Sequence, residues 1–122
     1  MKKHSPRFLA LVNEIKPLIT ELSASDFLMD TNAYILIDVR EDREFSAAHV
    51  AGAIHIGKGV LERDIEKKYP TLHTPLVLYC GGGYRSALAA DTLSQMGYTQ
   101  VYSLAGGFRA LQAAGAPIVS QE

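Results

Sequence analysis

Cys80 is the one cysteine in a chain of 122 residues, and the residues after it are not those of an ordinary turn. Gly81, Gly82 and Gly83 follow, then Tyr84, Arg85 and Ser86. The run Leu76 to Cys80 is apolar throughout and reads as a buried strand. From about Arg85 to Met96 the pattern is helical, and Gly97 supplies the stop. Cys80 thus ends a strand, and a glycine loop carries the chain into a helix aimed back at it. Glycines reach φ > 0 without a Cβ penalty, so the loop can turn its N–H groups inward. Backbone amides, the positive end of a helix and one guanidinium then converge on the sulfur. Such surroundings favour the charged thiolate over the thiol. The same donors would hold a persulfide, or an oxyanion such as thiosulfate. The plainer alternative makes Cys80 a small buried hydrophobe. The coincidence of loop, arginine and helix start argues against it.

The rest of the chain supplies a frame for that loop. Ser5-Pro6 reads as the start of a helix running to about Lys16, with Phe8, Leu11, Val12 and Ile15 on one face and Pro17 as the stop. Ile19 to Leu22 fits a short strand. Ser23 and Asp26 resemble a capping box that opens a helix to about Met29. Tyr34 to Val39 is a buried strand, Glu41 to Phe45 a helical turn, and Ala53 to Ile56 a second short strand. Gly59 to Lys68 reads as a helix, Val101 to Leu104 as a strand, and Gly106 to Ala114 as a last helix closed by Gly115 and Pro117. Apolar strands alternating with helices predict an α/β domain, with a mostly parallel central sheet and helices on both faces. Ligands in such sheets sit beyond the carboxyl ends of the strands. Three runs fall there: Asp38 to Glu41, Cys80 to Ser86, and Ala105 to Phe108.

Composition narrows the function classes. The chain is 48% hydrophobic and 20% charged with a formal net charge of -1, which gives no basic footprint for nucleic acid. One cysteine allows no internal disulfide and fits a reducing compartment. Met1-Lys2-Lys3 resembles the start of a signal peptide, but the apolar run Phe8 to Val12 is too short to continue one. No stretch approaches the ~20 apolar residues of a membrane span. These observations predict a cytoplasmic protein. The four histidines, His4, His49, His55 and His73, show no metal-ligand spacing, so neither a metal nor another cofactor is expected.

Taken in order, several stretches resemble the rhodanese family of sulfurtransferases: Asp38-Val39-Arg40-Glu41, Glu44-Phe45, His49-Val50-Ala51-Gly52-Ala53, the loop Cys80 to Ser86, and Leu104-Ala105-Gly106-Gly107-Phe108. The resemblance runs from about Ile19 to Ile118. It implies a rhodanese-like domain over 19–122, with residues 1–18 as a helical extension. It also implies that Cys80 is the catalytic residue, and that the loop Gly81, Gly82, Gly83, Tyr84 and Arg85 binds the transferred sulfur through its amides. Cys80 would take sulfane sulfur from thiosulfate or polysulfide as a persulfide and pass it to a thiol, sulfite or cyanide. A protein could serve as donor or acceptor. Ala48 stands where the family often has glycine, and Leu111 and its neighbours offer no Trp where the family often has an aromatic; both read as packing changes.

Four further residues sit near the loop by this reading: Asp38, Arg40, Glu44 and His49. Arg40 as a substrate contact and His49 as a general base are the functional readings. A buried ion-pair network of Asp38, Arg40 and Glu44, with a structural His49, is favoured, because charges near a core persist only when paired. Arg85 either attracts an anionic donor or ties down the loop. Two rival functions remain. Cysteine phosphatases and arsenate reductases place five residues between Cys and Arg, whereas four, Gly81 to Tyr84, lie between Cys80 and Arg85. A non-catalytic interaction module on the same fold is the other.

Overall fold

A computed structural model describes residues 4–121. The Met1-Lys2-Lys3 start and Glu122 lie outside the described residues. Helix α1 (Pro6–Ile15) has Pro6 in its first turn and passes into a single 3-10 turn at Lys16–Leu18. Next come β1 (Thr20–Leu22), α2 (Ala24–Met29) and β2 (Ile35–Asp38). Short elements follow: α3 (Asp42–Ala47), β3 (His49–Val50) and β4 (Ile54–His55). A 3-10 turn at Lys58–Val60 leads into α4 (Leu61–Lys68). The chain then runs through β5 (Leu76–Tyr79), α5 (Tyr84–Gln95), β6 (Val101–Leu104), α6 (Gly107–Ala113) and β7 (Ile118–Val119). Among the described residues no helix is long and apolar enough to cross a membrane.

Five strands form one sheet in the order β1-β6-β5-β2-β4, and every pairing in it is parallel. The central strand β5 alternates its side chains between two cores, as the period of two demands. Leu76, Leu78 and Cys80 pack with Ile65 of α4 and with Ala89, Ala90 and Leu93 of α5. Val77 and Tyr79 face the other way, with Phe27 of α2 and Leu111 of α6. Helices therefore cover both faces, as the apolar strands predict. Helix α1 packs on α5 and buries Val12 fully.

The expected elements are present with ends shifted by one or two residues. One pairing escapes the sequence: β3 and β7 join antiparallel, His49 opposite Val119 and Val50 opposite Ile118. Two-residue strands are too short to show any periodicity. At Ser23 the hydroxyl accepts the Asp26 N–H at 3.1 Å, as expected of a cap. A return bond of the capping-box kind occurs in α3, where the Glu41 N–H donates to Glu44 Oε1 at 3.1 Å.

Candidate active site

Cys80 follows the last residue of β5, and the even register that places Leu78 toward α5 also sends Sγ there. The loop then brings amides to it. Sγ accepts the Gly83 N–H at 3.1 Å and the Ser86 N–H at 3.3 Å. Both belong to the opening of α5, where the first N–H groups have no carbonyl four residues back. Gly83 is its N-cap, at φ +97. A side chain there would crowd the Gly106 nitrogen, 3.1 Å from the Cβ position, so glycine is required on two counts. Tyr84 and Arg85 supply the other N–H groups of the same first turn. The amides of Gly81 and Gly82 have no hydrogen-bond partner among the described residues.

Beneath the sulfur lies a feature the sequence reading missed. Cys80 Sγ–H donates to Ser86 Oγ at 3.6 Å, and Ser86 Oγ pairs with Ser103 Oγ at 2.8 Å. Both serines are fully buried. Ser103 stands in β6 opposite Leu78 and shares its face. A lone Ser inside the strand Val101–Leu104 is the one signal that could have marked it.

The segment after β6 holds the loop in place. The Phe108 N–H donates to the Cys80 carbonyl at 2.7 Å, and the Arg109 N–H to that of Gly81 at 3.3 Å. The start of α6 thus fixes the two carbonyls on either side of the Cys80–Gly81 junction. This closeness is possible because residue 107 has no side chain.

Arg85 is tied down. Its Nη1 and Nη2 donate to Glu44 Oε1 and Oε2 at 3.0 and 3.2 Å. The Arg85 guanidinium, assisted by the Glu41 backbone, holds the Glu44 carboxyl below its usual value of 4.5 despite partial burial. A carboxyl that ionises more readily when folded stabilises the fold fully above its unfolded value, and loses that contribution as pH falls through its lower folded value. Glu44→Gln should therefore flatten the acid limb of the stability–pH curve below about pH 4.5. Urea melts between pH 3 and 6 would read this, and an unchanged acid limb would mean the pair adds nothing.

Glu44 also corrects an expectation. It does not join Asp38 and Arg40 through hydrogen bonds. Asp38 pairs with Tyr79 across the sheet and shares its face, the one opposite to Cys80. Arg40 turns back onto it, with Nε 3.1 Å from both carboxylate oxygens and Nη2 2.8 Å from Oδ2. Nη2 also donates to the Ala48 carbonyl at 2.6 Å. The guanidinium lies 4.5 Å from the Phe108 ring centre. Burial pulls the Arg40 pKa down, but the hydrogen bonds and charge of Asp38 outweigh it and raise the pKa. His49 is buried, stacks on Phe45 with ring centres 3.7 Å apart, and bonds the Phe45 carbonyl through Nδ1 at 2.8 Å. Tyr79, its hydroxyl pushed up by burial, accepts the Val50 N–H at 3.2 Å and so ties β3 to the sheet.

Cys80 lies at the base of a cavity of about 370 Å³. Its walls include Gly81, Gly82, Tyr84, Arg85, Glu44 and Arg109. Neither Arg40 nor His49 lines it. The N-terminal segment adds an unexpected wall: His4, just before α1, and Phe8 within it line the cavity, and the His4 ring packs 4.4 Å from that of Tyr84. Lys16 Nζ sits 5.4 Å from the Tyr84 ring centre. Arg109 was also unforeseen, since nothing in its spacing links it to Cys80.

Fold and site define a parallel-sheet α/β protein whose single cysteine is cradled by backbone amides at a strand end. The chain matches the rhodanese-like domain over residues 23–114 and belongs to that family. It is 35% identical over 100 residues to the thiosulfate sulfurtransferase GlpE of Actinobacillus succinogenes, covering 82% of this chain and 87% of that one. Among solved structures, it superposes with TM-score 0.81 and 30% identity on a Rhodopseudomonas palustris protein of unknown function titled a possible tyrosine phosphatase, covering 98% and 99% of the two chains. The polysulfide-sulfur transferase homodimer of Wolinella succinogenes gives TM-score 0.75 and 30% identity, over 93% and 88%.

Proposed function

We propose that this protein is a sulfurtransferase that carries sulfane sulfur on Cys80. One observation carries the reading: Sγ accepts two backbone N–H groups and lines a cavity beside the Gly81 and Gly82 amides, which have no hydrogen-bond partner among the described residues. The Cys80 thiolate attacks the outer sulfur of thiosulfate or of a polysulfide. A new S–S bond forms, the donor's own S–S bond breaks, and its electron pair leaves with sulfite or with the shortened polysulfide. An acceptor (a thiolate, sulfite or cyanide) then attacks the outer sulfur and releases the Cys80 thiolate. This is covalent catalysis by an activated nucleophile. No second cysteine exists to receive the sulfur, so the acceptor is external, either a small molecule or a thiol on a protein.

The amides of Gly81, Gly82, Tyr84 and Arg85 hold the outer sulfur in this reading, and Gly83 holds Sγ. Asp38, Arg40, Glu44 and His49 support the loop from outside the reacting atoms. The described part of the N-terminal extension, residues 4–18, adds His4 and Phe8 to the cavity wall. The GlpE relative and the Wolinella transferase support the sulfur chemistry, and a lone cysteine suits a reducing cytoplasm. A phosphatase reading has the Rhodopseudomonas neighbour in its favour. Against it stand the four-residue spacing and the engagement of Arg85 with Glu44, which leaves no open guanidinium fork in the loop to wrap a phosphoryl group.

The test is intact mass of the reduced protein after thiosulfate or polysulfide, then after dithiothreitol. A gain of one sulfur, about 32 Da, reversed by reductant, is expected. No adduct from any sulfane donor, with Cys80 still open to alkylation, would move the reading to a binding module.

A further inference from the structure

We propose that Arg109, rather than Arg85, selects anionic sulfur donors; the inference rests on Cys80 as the sulfur carrier. Arg85 is the loop's own cation, but its guanidinium is engaged on both sides by Glu44, and the two charges cancel. Arg109 has no ion-pair partner among the described residues and lines the same cavity as Cys80. Its position is fixed from its root, because its N–H is bonded to the Gly81 carbonyl at 3.3 Å. Its head rests over the loop: Cβ atoms built on Gly81 and Gly82 would stand 3.8 and 3.2 Å from Arg109 Nη2. The missing side chain at 82 therefore leaves room for the guanidinium, while a Cβ at 81 would only touch it.

The reaction needs a cation at that place. When the thiolate meets thiosulfate, one negative charge meets two. The outer sulfur enters the amide cradle, so the sulfonate end points to the mouth, and the S–S bond breaks with its electron pair leaving on sulfite. The full dianionic charge of the leaving group collects beside the loop's first two residues. A guanidinium presents paired N–H donors that match two oxygens of such a group. Arg43, on α3, also lines the cavity and has no ion-pair partner among the described residues.

The test compares two donors in wild type, Arg109→Gln, Arg109→Lys and Arg43→Gln. One donor is thiosulfate. The other is 2-hydroxyethyl persulfide, whose leaving thiolate carries a single charge. Arg109→Gln is expected to lower kcat/KM for thiosulfate by about tenfold or more, chiefly through KM. The loss with the persulfide is smaller, so the ratio of the two rates falls. Arg109→Lys recovers part of the thiosulfate activity, and sulfate, which cannot react, inhibits Arg109→Gln more weakly than wild type. Equal losses with both donors, unchanged sulfate inhibition, or a larger donor-selective loss in Arg43→Gln would overturn the assignment. Wild type that forms no persulfide from either donor would remove the sulfur-carrier reading itself, a result distinct from all of these.

Discussion

Cys80→Ser should lose sulfur transfer by roughly a thousandfold or more, with the fold unchanged. The serine hydroxyl is too weak an acid to supply an oxyanion nucleophile at neutral pH, and oxygen forms no stable equivalent of the persulfide. The smaller Oγ can still accept the Gly83 and Ser86 amides and pair with the Ser86 hydroxyl, so the cradle keeps its partners. Thermal melting should therefore shift by only a few degrees. Transfer from thiosulfate to cyanide, assayed beside the mass measurement, separates the outcomes. A variant that still turns over would show that another group does the chemistry.

The second large effect is expected from Gly107→Ala, a residue that never touches substrate. Gly107 sits at φ +59, where an L side chain costs about 1 kcal/mol or more. A Cβ there would collide with the Cys80 carbonyl oxygen and stand 2.8 Å from both the carbonyl carbon and oxygen of Gly81. Those are backbone atoms, so no side chain can swing aside, and the loop itself must move. We expect about 3 kcal/mol of destabilisation and roughly a hundredfold loss of transfer, because a nucleophile displaced by about an ångström loses its alignment. Gly52→Ala is the control. Its φ is +85 but nothing lies within 4 Å of its Cβ, so only the backbone cost of about 1 kcal/mol applies. Urea denaturation of both variants decides the matter: equal costs would mean the crowding at Gly107 is relieved without moving the loop.

The loop's geometry was legible because it is local. A strand end, three glycines and a helix start lie within a few residues of one another, and each constrains its neighbour. The sheet order was less accessible, since adjacency of β5 with both β2 and β6 joins distant segments. That gap explains the misplaced partner of Glu44. In sequence Glu44 is close to Arg40, but the sheet turns Asp38 toward the Tyr79 face and Arg40 follows it, while Arg85 comes within reach from α5. Arg109 and Ser103 were missed for the same reason. Each is brought to Cys80 by β6 pairing with β5 and by α6 closing over the loop. His4 and Phe8 depend on α1 packing against α5, which its apolar face allows without naming the helix it will meet.

The depth of the sulfur has a consequence for exchange. Cys80 is 1% exposed, so its sulfur lies in a well rather than on a platform. Adding one sulfur lengthens the arm by about 2 Å, and the cargo stands nearer the rim than the atom that carries it. Flat protein surfaces pressed together would leave the two sulfurs apart. If Cys80 carries sulfur as proposed, a macromolecular acceptor has to offer its thiol on a slender projection, a chain tail or a narrow loop, whereas small acceptors need only diffuse in. Discharge is thus sorted by the shape of the visitor before its reactivity counts.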